Sequence, residues 1–590
     1  MSVLARSARL APVFCVIDDR HRELEVADDA VAGRYHHGGI TLDLGRRPDW
    51  IGGGLADDEE WRIEWVKLYE GLDLGHAFAV TGDQAYLDTW QDLVEAFCDQ
   101  VPVGHDTSDV SARRIQNWIY AWQRFADADG YPGLRPGLAE RLVERLAADT
   151  AHLGEHLTPE RNHRTLELYT LLLVGIATGD GALAERGLSL LADNARTDIW
   201  DDGVHRECSS DYHLIVLRSL LGAIASARSA GLDVPADLVE RADLACTFGM
   251  HLQRPDGTTP ALSDGDQADF RSLLLLGAEL LDRPDLAWVA SGGTQGTPPT
   301  ERHATFAVGG YVTQRSGWGE GARSVADERW SVLDCGPLGD GGHGHYDHLS
   351  LELAGGGHRL VVDPGRYTYA DDADGWRQWF KGTAAHNTVC IDGLDHVPYR
   401  RGKPKGERSC ARLVSRHTSS GLDVVVAEAW SPRYSALHTR TVAFVDDDYW
   451  IVHDVITDSA PRACTARWHL DPEAWHRTEL RLGDDQATVR APGLTLAVPA
   501  LDVGVCIEDG WVSPTYGVKH RAPVVRLGAT ARCVTHLATV LVPGRVDLRV
   551  RAVAPADPGG PMTVYAAHRG ALDVVHLTTG ADPTWERRPC

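Results

Sequence analysis

Lysine is nearly missing from this 590-residue chain: Lys67, Lys381, Lys403, Lys405 and Lys519 are the only five. Cationic work therefore falls to arginine, whose planar fork suits carboxylate and sulfate groups. Paired cysteines are missing too. The eleven cysteines are scattered singly from Cys15 to Cys590 with no CxxC pair, which argues against a disulfide framework and against a thiolate zinc site. Long apolar runs are absent: LLLLGAELL at 273–281 falls short of the roughly 20 residues that span a bilayer, so no membrane partner is expected. At the N-terminus, the charges of DDRHRE arrive before a secretory leader takes shape, and a cytoplasmic location is expected, with secretion left open. A surplus of positive charge is also lacking. The formal net charge of −26 repels polyanions at long range and argues against nucleic acid. A polyanionic substrate stays compatible with it where arginines gather in one groove.

What the chain does have is length and two distinct rhythms. At 590 residues it exceeds the roughly 250–300 residues at which single cores stop growing, so two large domains are expected. A hydrophobic content of 43% and a charged content of 24% are those of an ordinary globular protein. From about 60 to 290, segments such as WVKLYEGLDLGHAFAV and RIQNWIYAWQRFA carry apolar residues at i, i+3, i+4 and i+7, the mark of amphipathic helices. TGD recurs at 81–83 and 178–180 between such helices, and DRPD at 282–285 plays the same part. This loose repeat of helical hairpins points to an α/α toroid or solenoid, with an irregular bundle as the alternative. After about 305 the period becomes two: HLSLELA, LDVVVAEAW and TRTVAFVDDDYWIVHDVI read as strands of an antiparallel β-sandwich, the DDD run forming a hairpin tip. The Gly/Pro/Thr-rich stretch 290–304 separates the rhythms, giving a toroid domain over 1–295, with a short irregular or β segment at its start, and a sandwich domain over 305–590.

GGHGHYDHLSLEL at 341–353 crowds three histidines and an aspartate against the mouth of a strand. VVDPGRYTY (361–369) and FKGTAAHNTVCIDG (380–393) follow, each ending a strand on a polar residue. His345, Asp363 and His386 thereby supply two imidazoles and a carboxylate from neighbouring strands. That donor set suits zinc. Three polar residues capping strand ends is the alternative. In the helical half, TPERNHRTLELYTLLL (158–173) sets Asn162 and His163 at a helix start, where an N-cap is an equally good account. WDDGVHRECSSDYHLIVL (200–217) carries Glu207 and Tyr212 into a helix, where Tyr212 and His213 also suit packing. DVSARRIQNWIYAW (109–122) places Arg113 near another helix start, where arginines are usually solvated.

In order along the chain, NHxxxE (Asn162, His163, Glu167), DGVHxExSxxYH (Asp202–His213), GHGHxDxLSLEL (Gly342–Leu353), VDPGxYxY (Val362–Tyr369) and TAAHNTVxxDG (Thr383–Gly393) form a pattern. It resembles the heparinase II/III-like polysaccharide lyases, a group that includes oligo-alginate lyases. The resemblance covers about residue 30 to beyond 460, and its last three motifs are the most specific. It implies an N-terminal α/α toroid, an antiparallel β-sandwich, and cleavage beside a uronic acid by β-elimination. Asn162 matches the amide that neutralises the uronate carboxylate, with His163 beside it. Tyr212 matches the tyrosine that serves as base, acid or both, and His343 the sandwich-borne catalytic histidine. His345, Asp363 and His386 match the ligands of a structural zinc, so that one histidine of GHGH is for chemistry and the next for metal; His348 is expected to be packed or superficial.

A tyrosine base needs its pKa lowered by nearby cations, for which Arg113, Arg161, Arg206 and Arg366 are the candidates. Glu167 and Glu207 are expected to orient their neighbours, and Trp376, Trp379 and Lys381 to contact sugar. The basic run YRRGKPKGER (399–408) is read as a solvated turn, or else as a rim that meets polyanion. An anionic oligo- or polysaccharide partner follows, glycosaminoglycan ahead of alginate or exopolysaccharide; homo-oligomer formation stays open. Rival readings are a glycoside hydrolase using Asp201, Asp202 or Asp264, a non-catalytic glycan-binding protein, and elimination on a small biosynthetic intermediate.

Overall fold

The computed structural model describes residues 10–17, 24–371, 373–400, 409–555, 560–578 and 582–589. Most of the basic run 399–408 lies outside them. The chain divides into two compact units, one of residues 1–199 and 215–243, the other of 200–214 and 244–590. Among the described residues no helix is long and apolar enough to cross a membrane.

The first unit is helical apart from a small hairpin, Arg34–His37 with Ile40–Asp43. Its punctuation follows from the TGD triplets. Gly82 ends the helix Glu70–Thr81 at φ +71°, and Asp83 then caps the helix Gln84–Gln100 by accepting from the Ala85 N–H. Gly179 at φ +72° and Asp180 repeat this between Arg161–Thr178 and Gly181–Asp198. Only glycine enters the left-handed region without cost, and an aspartate oxygen satisfies an amide the new helix leaves free. In the second unit, DRPD separates two helices by other means: Asp282 at φ +55° ends the first and Pro284 is the first residue of the second, whose start has no side-chain cap.

The second unit holds three larger antiparallel sheets. Ala304–Phe306, Tyr311–Arg315, Trp330–Asp334, Leu351–Gly355 and His358–Val361 form a five-stranded meander. A ten-stranded sheet includes Leu422–Trp430, Leu437–Val445 and Tyr449–His469, and a four-stranded sheet ends the chain. The ten-stranded sheet is covered on both faces. Val425, Ala427, Val442 and Val452 share a core with Leu333, Leu351 and Val361 of the meander, whereas Val424, Val426, Ala443 and Ile451 pack with Val550, Val564 and Val575 of the four-stranded sheet. Burial of both faces explains why LDVVVAEAW is apolar almost throughout rather than alternating. Asp446 and Asp447, both at positive φ, form the turn joining Val445 to Tyr449, as the DDD run requires.

The change of period near 305 therefore marks where the larger sheets begin, while the compact units divide elsewhere. Phe248 and Leu252, from the helix Ala236–Leu252, share a core with Tyr311, Trp330 and Val332 of the meander. Such sharing arises from side-chain size and position, and periodicity does not register it.

Candidate active site

Tyr212 stands in the first turn of the helix Ser210–Ser229. Its ring lies 3.9 Å from that of His343, centroid to centroid, tilted by 32°. His343 is flanked by two fully buried carboxylates: Nδ1 is 3.1 Å from Asp264 Oδ2, and Nε2 is 3.2 Å from Glu207 Oε2. The two carboxylates hold the plane and orientation of the imidazole, each offering an acceptor to one ring nitrogen. On its other side the Tyr212 hydroxyl meets the Tyr369 hydroxyl at 2.9 Å, and Arg366 Nη1 donates to that same Tyr369 oxygen at 2.6 Å. Arg366 is itself held by Asp266 and Asp211.

Local backbone geometry presents these groups. Tyr367 sits at φ +57°, and the Thr368 N–H donates to the Arg366 carbonyl two residues back, a tight turn that a non-glycine residue adopts only under constraint. It throws Arg366 and Tyr369 to the same side. Gly344, between the two histidines of GHGH, runs against the chain at Leu338: a Cβ there would fall 1.8 Å from the Leu338 carbonyl oxygen. Its glycine is a requirement of close approach, and it fixes His343 and His345 two residues apart.

Asp264 is the hub. Besides His343, it accepts from His345 Nε2 at 2.9 Å through Oδ1, and Arg377 grips both of its oxygens. Burial opposes its charge, but Arg377 and the two imidazoles hold its carboxyl well below the usual range. For Tyr212 the balance falls the other way. Burial raises its pKa well above that of free tyrosine, and Arg366 offsets only part of this. The arginine expected near the phenol is present as Arg366, yet desolvation outweighs it, so the resting phenol is neutral and a proton donor.

His345, Asp363 and His386 converge in a buried group whose donor atoms lie within 4.8 Å of one another. Their chemistry fits a metal. With Nε2 on Asp264, His345 keeps a buried Nδ1 without a partner, and burial pushes its pKa down to about 3, leaving it neutral. His386 Nε2 is 3.0 Å from the Phe380 carbonyl, and Nδ1 faces Asp363 Oδ2 at 2.8 Å. Although burial opposes it, Asp363 lifts the His386 pKa to about 9; a cation taking that place would displace the proton. His348 is buried against Ser409 at 2.8 Å, three residues before its strand begins.

Four expected residues belong to the first unit. Asn162 is buried at the start of Arg161–Thr178, and His163 is 3.7 Å from Asp109. Glu167 is wholly buried, accepting from Ser108 Oγ and from the Thr158 N–H, and burial raises its pKa. Arg113 is buried and donates to Gln116. Trp379, in the second unit, is half-buried against Trp376 and Phe380.

Tyr369, Asp264 and Arg377 were not singled out for this chemistry from sequence. Tyr369 is the second tyrosine of VDPGxYxY and carried that signal; Asp264 was weighed only as a hydrolase carboxylate. Nothing in the spacing marks Arg377.

Tyr212, from a helix, and His343, from the loop before a strand of the meander, are half-buried and pair an ionisable hydroxyl with an imidazole, groups suited to moving protons. Two family models match the chain, heparinase II/III N-terminus over residues 16–277 and heparinase II/III-like C-terminal over 298–554, and the chain belongs to the heparinase II/III family. A heparin-sulfate lyase of Pedobacter heparinus is 24% identical over 529 residues, covering 85% of this chain and 76% of that protein. A crystal structure of heparinase III superposes with a TM-score of 0.79 at 17% identity, over 99% of this chain and 94% of that one. A mutant of heparan sulfate lyase from Pedobacter heparinus superposes with a TM-score of 0.71 at 20% identity, over 96% of this chain and 90% of that one.

Proposed function

We propose that the chain is a glycosaminoglycan lyase that breaks the C4–O bond of a uronate-containing chain by β-elimination. The C5 proton leaves, the C4–O bond breaks, C4=C5 forms, and the departing oxygen takes up a proton. The observation that carries this reading is the close, tilted contact of the Tyr212 and His343 rings at 3.9 Å, each with its own supporting partners. His343, oriented by Asp264 at 3.1 Å, receives the C5 proton. Tyr212, neutral at rest, gives its proton to the leaving oxygen and recovers one through Tyr369. Arg366 offsets negative charge as it develops. Asn162 and His163 keep their carboxylate-neutralising part in this reading on their motif alone, and Glu167 and Arg113 are assigned to holding their helices.

The helical repeat is consistent with an α/α toroid and the core shared by two sheets with a β-sandwich. Zinc held by His345, Asp363 and His386 would cross-link the loops around the meander. Hydrolysis is disfavoured because two of its three candidate carboxylates are already engaged: Asp264 is tied to Arg377, His343 and His345, and Asp202 accepts from the Val308 and Gly309 N–H groups. Incubation with heparan sulfate, heparin, chondroitin, hyaluronan and alginate tests the proposal. A rise in ultraviolet absorbance from the unsaturated uronate is expected on heparan sulfate. New reducing ends without that absorbance would establish hydrolysis instead.

A further inference from the structure

The hairpin of Val503–Thr515 and Val518–Pro543 reaches the candidate site at its tip. The Gly517 N–H donates to the Tyr367 carbonyl, the Ser513 N–H to that of Pro364, and the Gln267 N–H to that of Pro514. Tyr516, at the tip, lies 5.8 Å from Tyr369, ring to ring. From there one face of the hairpin carries Lys519 and the cross-strand pair Trp511 and Arg521, alternate residues that share a face by the pleat. Trp511 lies five positions before Tyr516, further along the hairpin from its tip.

Lys519 is the unusual member. Of the three described lysines, Lys67 pairs with Glu64 and Lys381 donates to the Gly342 carbonyl. Lys519 Nζ instead faces rings, 3.8 Å from the centroid of Tyr367, 4.2 Å from Trp376 and 5.6 Å from Trp511. No carboxylate pairs with it among the described residues. Arg521, exposed, lies 5.4 Å over Trp511, with the exposed Asp509 at 3.4 Å as its counter-charge. Trp376, Trp511 and Lys519 are all half-buried, leaving surface for a ligand. In a chain of net charge −26, an ammonium held on aromatic faces with no anion beside it is a place left for one from outside.

We propose that this face is a subsite for a sugar unit beyond the reacting uronate, its sulfate or carboxylate taken by Lys519 and Arg521 and its ring face by Trp511. The proposal rests on the lyase reading for its ligand class, acidic polysaccharide. Binding measured in a Tyr212→Phe background tests it apart from turnover, with heparan sulfate chains and a heparan sulfate tetrasaccharide as probes. Adding Lys519→Met, which keeps the apolar stem, raises Kd for the long chain roughly fivefold, the worth of one exposed charge contact. It also reduces the slope of log Kd against log salt by about one, and the tetrasaccharide is affected less. Trp511→Ala weakens long-chain binding in the same direction. Arg551→Met, an exposed charge in the four-stranded sheet, serves as the charge-matched control and leaves both affinities in place. Unchanged long-chain affinity in Lys519→Met overturns the proposal. So does an equal loss for both probes with a lowered Tm, which makes Lys519 only an anchor of the hairpin. Wild-type protein that binds the chains yet yields no ultraviolet-absorbing product overturns the lyase reading alone.

Discussion

His343 and His345 stand two residues apart and share one carboxylate, yet their surroundings differ in every respect that sets a histidine's use. His343 is 18% exposed and meets a tyrosine face, and both its nitrogens point at acids. His345 is fully buried, with one nitrogen on Asp264 and the other without a partner. In the proposed reading the first exchanges a proton with a visiting molecule and the second holds a metal ion. Type and spacing are the same for both residues; burial and the second nitrogen's neighbour decide between them.

Substitutions that separate the two surroundings sharpen this contrast. Tyr212→Phe is expected to have the largest effect on rate, lowering kcat about 10³-fold or more through loss of a proton donor; product absorbance measures it, with the melting temperature nearly unchanged. His343→Ala is expected to cost about 10²- to 10³-fold in kcat, again with little loss of stability. Asp264→Asn breaks the contrast itself. It weakens the support of both histidines and leaves Arg377 buried without its charge partner, so both kcat and stability fall, the latter by about 3 kcal/mol, read by urea denaturation. His345→Ala is expected to act through stability, with a melting temperature that no longer responds to chelator, whereas chelation of the parent lowers it. Glu167→Gln has the smallest effect, about 1–2 kcal/mol of stability from impaired acceptors for Ser108 and Thr158. A loss of kcat without loss of stability would instead place Glu167 in the chemistry.

Much of this was legible in the chain because it is written locally. The TGD triplets announce a left-handed stop and a carboxylate start, and both occur at Gly82–Asp83 and Gly179–Asp180. The DDD turn and the His345–Asp363–His386 group likewise follow from short motifs. What stayed hidden depends on distant contacts. Arg377 comes 113 residues after Asp264, and no periodicity links them. The pKa of Tyr212 is raised by burial, which outweighs the charge of Arg366, and burial is not written in spacing. The membership of Phe248 and Leu252 in a core with strands lies equally beyond reading along the chain.

The left-handed turn at Tyr367 has a wider consequence. Its carbonyl anchors the hairpin tip, its ring faces Lys519, and the same kink aims Arg366 and Tyr369 at the phenol of Tyr212. If the two proposals hold, this single peptide bears on both the resting place of a long acidic chain and the point of its scission.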